Sequence, residues 1–179
     1  MSSVGRRFPD FRLTGVVSSE PAKAFQTFDG ASFEGKWRVV FFWPKDFTFV
    51  CPTEIAGFAK LDKEFRARDA QLLGVSIDSE YVHLAWRQQN EELKGLPFPM
   101  LSDVKRELAS ALGVLDEEAG VAQRATFIVD PQGIVRFVYV TDLNVGRSPE
   151  EVLRVLDALQ TGELCPCNRK SGGPTLQGA

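Results

Sequence analysis

The sequence predicts an α/β domain in which a mixed β-sheet has helices on both faces. Three observations predict it: an unbroken apolar run typical of a buried strand, an alternation of strand-like and helix-like segments, and two β-rich segments joined by a tight turn. Alternating strands and helices favour parallel pairing, whereas a tight turn joins antiparallel strands. The chain has 179 residues, which is enough for one domain with its own core.

The first half of the chain contains two strand–helix pairs. The apolar run Val39–Trp43 is typical of a strand that is covered on both faces. A helix is predicted over 51–69, because Pro52 is tolerated in a first turn and apolar residues recur at helical spacing. These apolar residues are Ile55, Phe58, Leu61 and Phe65. A second buried strand is expected over 70–78 and a second helix over 80–93.

The second half adds a helix, a hairpin and a last helix. The helix is expected over 104–113, where a glycine ends it. Residues 125–140 form two β-rich runs around the turn sequence Asp-Pro-Gln-Gly, which indicates an antiparallel hairpin. The last helix spans 148–162, with Ser148 as N-cap and Glu151 completing a capping box. This order of elements is the thioredoxin-like arrangement.

The chain divides into a domain and a tail. Residues 1–162 contain all the predicted strands and helices. Residues 163–179 are polar and rich in glycine and proline, so we expect an extended, mobile C-terminal tail. This tail contains two of the three cysteines, Cys165 and Cys167.

Composition excludes several functions. A net charge of -3 argues against a partner nucleic acid or an anionic membrane surface. No apolar run approaches the roughly 20 residues that a membrane-spanning helix needs. The N-terminus has two arginines but no apolar segment after them, so it does not resemble a secretory signal. We therefore expect a cytoplasmic protein.

The three cysteines suggest redox chemistry more than structure. Cytosolic cysteines are reduced by default, and a disulfide there is usually transient or catalytic. A structural zinc site is the competing interpretation, with His83, the only histidine, as fourth ligand. It is disfavoured because no pair of cysteines has the C-x₂-C spacing and His83 is distant in sequence from both cysteine regions.

Cys51 is placed where a helix begins. A thiol in a first turn faces free backbone N–H groups and the positive end of the helix dipole, and both favour the thiolate. The thiolate is the reactive form, which indicates a nucleophile or a redox centre. The alternative is that Cys51 is a small buried hydrophobic residue, as most free cysteines are. Its position after a buried strand and beside Thr48 favours function.

The neighbours of Cys51 narrow the chemistry. A dithiol oxidoreductase would have a second cysteine where Glu54 stands, and a cysteine phosphatase would have an arginine where Gly57 stands. A papain-like hydrolase needs a histidine base, and only His83 is available, on a helix where it could be a surface or half-buried residue. The remaining chemistry is oxidation to a sulfenic acid that condenses with a distant thiol. Cys165 or Cys167 could supply that thiol, or both could be spectators.

The motif that joins Pro44, Thr48 and Cys51, followed by Pro-Thr-Glu, resembles the active-site signature of the peroxiredoxins. The resemblance to the AhpC-type, typical two-cysteine group extends from about Phe8 to Thr175. It is carried by KWRVVFFWPKDFTFVCPTEI, LLGVSIDS, PFPMLSD, ATFIVDPQG and GELCPCN. The third cysteine, in LCPCN, is similar to the branch that is reduced through an AhpD-type thiol adaptor as well as by thioredoxin.

The resemblance implies a role for each matching residue. Cys51 would be the peroxidatic cysteine, which attacks the peroxide. Thr48 would hydrogen-bond the thiolate and the bound peroxide, and Pro44 would shield the site. Arg124 would supply the cation that stabilises the thiolate and the transition state. Cys165 would be the resolving cysteine, provided by the opposite subunit of a dimer.

Three further residues match supporting positions of the family. Glu54 would anchor Arg124 through an ion pair, and Arg147 would be a second arginine of that network. Cys167 would be the extra cysteine of the adaptor-linked branch.

The resemblance also implies rings of dimers and a reaction without metal, haem or flavin. The chain has no Gly-rich dinucleotide fingerprint, so electrons would come from a partner protein. A holdase chaperone or a redox relay is the alternative from another class.

The sequence departs from the family pattern in two places. The GGLG and C-terminal YF elements of members sensitive to over-oxidation are absent, and LKGLPFP and PTLQGA stand there instead. We therefore expect resistance to sulfinic-acid formation. Arg169 replaces a tryptophan that is usual after the resolving segment, and this residue bears on how the tail docks.

Overall fold

The computed structural model describes residues 3–176, and a mixed sheet runs through its centre. The strands are β1 (Arg12–Val16), β2 (Phe25–Asp29), β3 (Trp37–Phe42), β4 (Ala70–Ser76), β5 (Met100–Ser102), β6 (Leu115–Asp116), β7 (Val121–Ala122), β8 (Arg124–Val129) and β9 (Val135–Thr141). The helices are α1 (Cys51–Lys60), α2 (Asp62–Arg66), α3 (Glu80–Gln89), α4 (Glu107–Ala111) and α5 (Pro149–Thr161).

Within residues 3–176 the main sheet has seven strands in the order β2-β1-β5-β4-β3-β8-β9. β3, β4 and β5 are parallel neighbours, and the other pairs are antiparallel. The predicted mixed sheet is therefore confirmed, and so is the hairpin, in which Gly133 N donates to Asp130 O at 2.9 Å. The β1–β2 hairpin, β5 and the small β6–β7 pair were not predicted from the sequence. β2 is largely exposed, and β5 has only three residues, so neither has a readable apolar pattern.

The strand β3 shows how the sheet separates two apolar layers. Val39 and Phe41 point into a core shared with α1, α3 and α5. Val40 and Phe42 point to the other face, into a core shared with α4. Alternate side chains of a strand lie on opposite faces, so an unbroken apolar run serves both layers.

The helices are shorter than predicted. The helix expected over 51–69 is interrupted at Leu61, whose φ of -97° and ψ of 4° are not helical, and α2 follows it. The helix expected over 80–93 ends at Gln89, because Asn90 is extended. The one expected over 104–113 begins only after Arg106, which has a φ of 61°. Helical spacing of apolar residues thus predicted the positions of the helices more accurately than their ends.

The cap of α5 is formed only in part. Ser148 Oγ accepts a hydrogen bond from Glu151 N at 3.2 Å, as the N-cap prediction requires. The Glu151 carboxylate, however, is engaged by Arg154 at 2.6 Å. The reciprocal half of the predicted capping box is therefore replaced by an ion pair within the helix.

The described part of the tail lies against α5 in this conformation. Leu176 N donates to Leu164 O at 2.7 Å, and Arg154 Nη1 donates to the carbonyl of Arg169 at 3.1 Å. Mobility of the tail stays a prediction, and residues 1–2 of the expected domain and 177–179 of the expected tail lie outside the described residues. Across residues 3–176, no helix has the length and apolar character needed to cross a membrane.

Candidate active site

Cys51 lies at the first position of α1, just beyond the carboxyl end of β3. Its side chain is fully buried, at 0% exposure. Pro44, in the connection between β3 and α1, is buried as well. The thiol is therefore enclosed by the connection and by the start of the helix.

A buried carboxylate, Asp46, holds the connection in place. Asp46 Oδ1 accepts from Trp43 Nε1 at 2.8 Å, and Oδ2 lies 2.6 Å from His83 Nδ1. The backbone N–H of Asp46 donates to Asp78 Oδ2 at 2.8 Å. Burial raises the pKa of Asp46, although its contacts with His83 and Trp43 oppose that rise. This network was not anticipated, because its members show no common spacing in the sequence.

His83 corrects one expectation. It is fully buried rather than a surface or half-buried residue, and its Nε2 faces the carbonyl of Leu101 at 3.2 Å. Both ring nitrogens are thus occupied by groups other than the thiol. Among residues 3–176, no three His, Cys, Asp or Glu side chains gather where they could hold a metal ion.

Thr48 places a hydroxyl beside the thiol. Its Oγ1 lies 2.9 Å from Cys51 Sγ and 3.0 Å from the carbonyl oxygen of Lys45. A hydroxyl has one hydrogen to donate, so it points either to the carbonyl or to the sulfur. An anionic sulfur is the stronger acceptor, and Thr48 is placed to stabilise it.

The backbone contributes less than the sequence suggested. Pro52 has no N–H, and the N–H groups of Thr53 and Glu54 both point to the carbonyl of Val50, at 3.1 and 3.3 Å. The first turn of α1 therefore does not offer Cys51 the free N–H donors that were expected from these residues. Side-chain donors surround the sulfur instead.

Arg124, the first residue of β8, is the cation at the thiol. Its Nη1 lies 3.4 Å from Cys51 Sγ and 2.6 Å from Glu54 Oε2, and its Nε donates to the carbonyl of Leu143 at 2.6 Å. Burial lowers the pKa of Arg124, but the contacts with Cys51 and Glu54 outweigh it, and the net shift is upward. A fixed positive charge therefore faces the sulfur.

Glu54 joins Arg124 to a second buried arginine, Arg147. The backbone N and Nε of Arg147 each donate to Oε1 at 2.8 Å, and its Nη2 donates to Oε2 at 3.0 Å. With Arg124, four donors occupy this carboxylate, which fills its usual capacity. Burial raises the pKa of Glu54, but hydrogen bonds and charge from Arg147, aided by Arg124, hold it below its usual range.

The charges of this cluster do not cancel without the thiolate. Two arginines and one glutamate leave a net charge of +1 in a buried region, where all three side chains are at most 6% exposed. An anionic Cys51 brings the total to zero. Uncompensated charge is costly in a low-dielectric interior, so the cluster is complementary to a negative charge on the sulfur.

Close packing of α1 against α5 brings Glu54 and Arg147 together. A Cβ on Gly57 would lie 3.2 Å from Pro149 Cγ, so a larger residue would press against the start of α5. Arg147 is fixed further by Nη1, which donates to the carbonyl of Ala125 at 2.7 Å. From the sequence, Gly57 was notable only because a cysteine phosphatase would have an arginine at this position. Its role in the packing of α1 against α5 was not predicted.

The tail thiols lie elsewhere in the single chain. Cys165 is half-buried, with Sγ 3.4 Å from Thr161 Oγ1 and 3.6 Å from the carbonyl of Ala158, and Cys167 is exposed. These contacts lie at the C-terminal end of α5, whereas Arg147 precedes its N-terminal end, roughly 20 Å away along the helix. A disulfide needs Cα atoms within roughly 7 Å. All three cysteines are free.

The chain is similar to known proteins over most of its length. The AhpC/TSA family model matches residues 4–138. "Alkyl hydroperoxide reductase C" of Mycolicibacterium smegmatis is 57% identical over 97% of this chain and 93% of the relative, and the protein of the same name from Mycobacterium tuberculosis gives the same values.

Solved structures are similar in fold as well. The structure of Mycobacterium bovis AhpC has a TM-score of 0.86 at 56% identity, covering 95% of this chain and 99% of that one. The reduced 2-Cys peroxiredoxin of Plasmodium vivax has a TM-score of 0.89 at 35% identity, covering 98% and 93%. The thioredoxin-like arrangement of strands and helices is therefore shared with both.

Proposed function

The chain belongs to the AhpC/TSA family and is a peroxiredoxin, a thiol peroxidase of antioxidant defence, and we propose that Cys51 is its peroxidatic cysteine. The observation that carries this proposal is the buried sulfur between Thr48 Oγ1 at 2.9 Å and Arg124 Nη1 at 3.4 Å. The substrates are hydrogen peroxide and organic hydroperoxides, whose reacting oxygens are small enough for an enclosed thiolate.

The first half-reaction moves charge from sulfur to oxygen. The Cys51 thiolate attacks the terminal peroxide oxygen, so an S–O bond forms while the O–O bond breaks. Sulfur is oxidised to the sulfenic acid, and the leaving alkoxide or hydroxide takes a proton to become alcohol or water. Thr48 and Arg124 are donors whose positions are set before the reaction, which is how such groups lower a barrier. Pro44 keeps the pocket closed to bulk water.

Glu54 and Arg147 act as positioning residues. Glu54 fixes the Arg124 guanidinium at 2.6 Å, and Arg147 in turn fixes both carboxylate oxygens of Glu54. The net positive charge of the cluster is complementary to the anionic sulfur that attacks the peroxide. Neither side chain needs to touch the peroxide for this role.

The second half-reaction requires another subunit. Cys165 attacks the Cys51 sulfenic acid, a disulfide forms, and water leaves. The position of Cys165 near the far end of α5 favours a homodimer in which the partner's tail provides this thiol, and the family resemblance extends the dimer to a ring of dimers. Cys167 then takes part in exchange with the reducing protein, either thioredoxin or an AhpD-type adaptor.

The remaining assignments follow from composition. Free cysteines suit a cytoplasmic enzyme. A net charge of -3 suits an enzyme without a nucleic-acid or membrane partner. The chemistry described needs no bound cofactor, because sulfur alone carries the two electrons. Electrons for the next turnover come from the dithiol of the partner protein.

A disulfide map tests these roles together. The reduced protein is treated with one equivalent of hydrogen peroxide, alongside Cys51→Ser, Cys165→Ser and Cys167→Ser. A Cys51–Cys165 link between subunits, lost in the first two variants and kept in the third, is the expected result. A Cys51–Cys167 link would exchange the roles of the tail cysteines. A Cys51 that stays reduced while the tail oxidises would contradict the peroxidatic role and favour a redox relay.

A further inference from the structure

A cavity lies at the opposite end of β3 from Cys51. Its volume is about 670 Å³. β3 begins at Trp37 and Cys51 follows its other end, so the two regions are separated by the length of the strand, on the order of 20 Å. The cavity is bordered by the segment 7–11, the turn 29–34 and the hairpin turn 131–133. None of these residues takes part in the peroxidase site.

Arg38 is the unusual residue of this cavity. It is only 7% exposed, and within residues 3–176 no hydrogen bond or ion pair joins its side chain to another group. Its buried Nε has no hydrogen-bond partner. Arg38 lies over the ring of Phe8, with Cζ 5.6 Å from the ring centroid. A largely buried arginine whose Nε has no acceptor is uncommon in native proteins, where buried polar groups are usually paired.

A second guanidinium converges on the same place. A Cβ built on Gly133 would lie 3.1 Å from Arg7 Nη1 and 3.5 Å from Arg38 Nη2, so both groups lie over this glycine. Burial lowers the pKa of Arg38; Asp130 opposes this, and the like charge of Arg7 adds to it. Two cations held close together, one of them largely buried, favour an anion between them.

The nearby carboxylates do not neutralise this pair. Asp130 is occupied by Arg136 Nε at 2.6 Å and by two backbone N–H groups of the hairpin turn. Asp29 caps the following turn through the N–H of Ser32 at 3.0 Å. Asp10 and Glu34 also line the cavity. These acids disfavour a polyphosphate and leave room for a single anionic head.

Aromatic side chains form the apolar wall of the cavity. Phe8 and Phe11 pack edge to face, with ring centroids 6.2 Å apart, and Phe33 lines the cavity beside them. Such a wall suits an apolar or aromatic group attached to the anion. The cavity therefore offers charge at one place and apolar surface at another.

We propose that this cavity binds a phosphate monoester carried on an apolar or aromatic group. The phosphate lies between Arg7 and Arg38, whose two positive charges match its charge of nearly -2 at neutral pH. The apolar body lies along Phe8 and Phe11. This site is independent of Cys51 and of the peroxidase assignment.

Phenyl phosphate is the probe for this site. Its binding is measured by calorimetry and by the shift in Tm at constant ionic strength, beside inorganic phosphate, benzoate and phenol. We expect saturable binding of phenyl phosphate, weaker binding of inorganic phosphate and benzoate, and none of phenol. Arg7→Gln and Arg38→Gln should each weaken phenyl phosphate binding roughly tenfold or more, the loss expected when one charge-assisted hydrogen bond is removed.

Lys23→Gln is the matched control, because it removes one positive charge at an exposed ion pair outside the cavity. Equal weakening in Lys23→Gln and Arg7→Gln, or no saturable binding by the unmodified protein, would overturn the site. Equal binding of inorganic phosphate and phenyl phosphate would overturn the apolar half of the proposal. Arg7 is exposed, so its variant tests the site even if Arg38→Gln does not fold.

Discussion

Arg147 donates three hydrogen bonds to Glu54, one from its backbone and two from its guanidinium, across 93 residues of sequence. Both side chains are buried. The remaining donor to this carboxylate is Arg124, which also reaches the sulfur of Cys51. Glu54 therefore connects the scaffold to the cation that faces Cys51, and its removal should affect both stability and rate.

Glu54→Gln should destabilise the protein and slow its reaction with hydrogen peroxide. The variant leaves two buried guanidiniums without their counter-charge, a change that costs roughly 3–5 kcal/mol in comparable buried pairs. A misplaced Arg124 should lower the rate constant of Cys51 with hydrogen peroxide by up to roughly 100-fold. Urea unfolding and stopped-flow tryptophan fluorescence measure the two effects. Glu117→Gln, at an exposed position, is the control, and wild-type behaviour of Glu54→Gln would refute the positioning role.

Arg124→Lys should slow peroxide reduction more than it destabilises the fold. Lysine keeps the charge but cannot contact Leu143 O, Glu54 and Cys51 Sγ at once, because it lacks the planar fork of arginine. Loss of one donor at a developing charge typically costs roughly 100- to 1,000-fold in rate. Single-turnover kinetics measures this loss. Arg136→Lys, at a more exposed ion pair, should react like the unmodified protein; a similar loss there would argue against a specific role.

Thr48 can be tested with two substitutions of similar size. Thr48→Ser retains the hydroxyl 2.9 Å from Cys51 Sγ, and Thr48→Val removes it while keeping the branched shape. We expect the serine variant to stay within a few-fold of the unmodified rate and the valine variant to lose roughly 100-fold or more. The measurement is the second-order rate constant with hydrogen peroxide and with cumene hydroperoxide. Equal rates in the two variants would show that the hydroxyl does not matter.

Glu54 should also make stability depend on pH. Its folded-state pKa is held below the unfolded value of about 4.3, so its contribution to stability is complete above that value and is lost as the pH falls through the folded-state pKa. Between about pH 5 and pH 3, the unfolding free energy of the unmodified protein should fall more steeply than that of Glu54→Gln. Urea titrations at several pH values measure both slopes. Equal slopes of unfolding free energy against pH would mean that protonation of Glu54 does not contribute to the pH dependence of stability.

Over-oxidation should be slow in this chain. The segment LKGLPFP replaces the family element linked to sensitivity, and Leu93, Leu96 and Phe98 within it are buried in the same core as Cys51. Mass spectrometry during turnover with rising hydrogen peroxide follows the sulfinic form of Cys51. We expect the disulfide to dominate. Sulfinic acid that accumulates within a few turnovers would contradict the prediction, and Cys165→Ser, which cannot resolve, provides the positive control.

Local patterns were sufficient for part of the site. A buried strand that ends before Pro44, a helix that begins at Cys51 and a threonine three residues ahead of it are all readable from neighbouring residues. Arg124 and Arg147 were not readable in this way, because they are 70 and 93 residues away from Glu54 in the chain. Only the family resemblance pointed to them. The Asp46–His83 contact was missed altogether.

The layered α/β architecture, the hairpin over 125–140 and the start of the helix at Cys51 could be predicted from sequence alone, because periodicity and turn residues act over a few neighbouring positions. Four features arise only from packing: the break at Leu61, the three-residue strand β5, the burial of His83, and the cluster that faces the thiol. These features depend on which strands pair and which helices pack. That pairing brings together charged residues that are far apart in sequence, so their contacts cannot be read from the sequence.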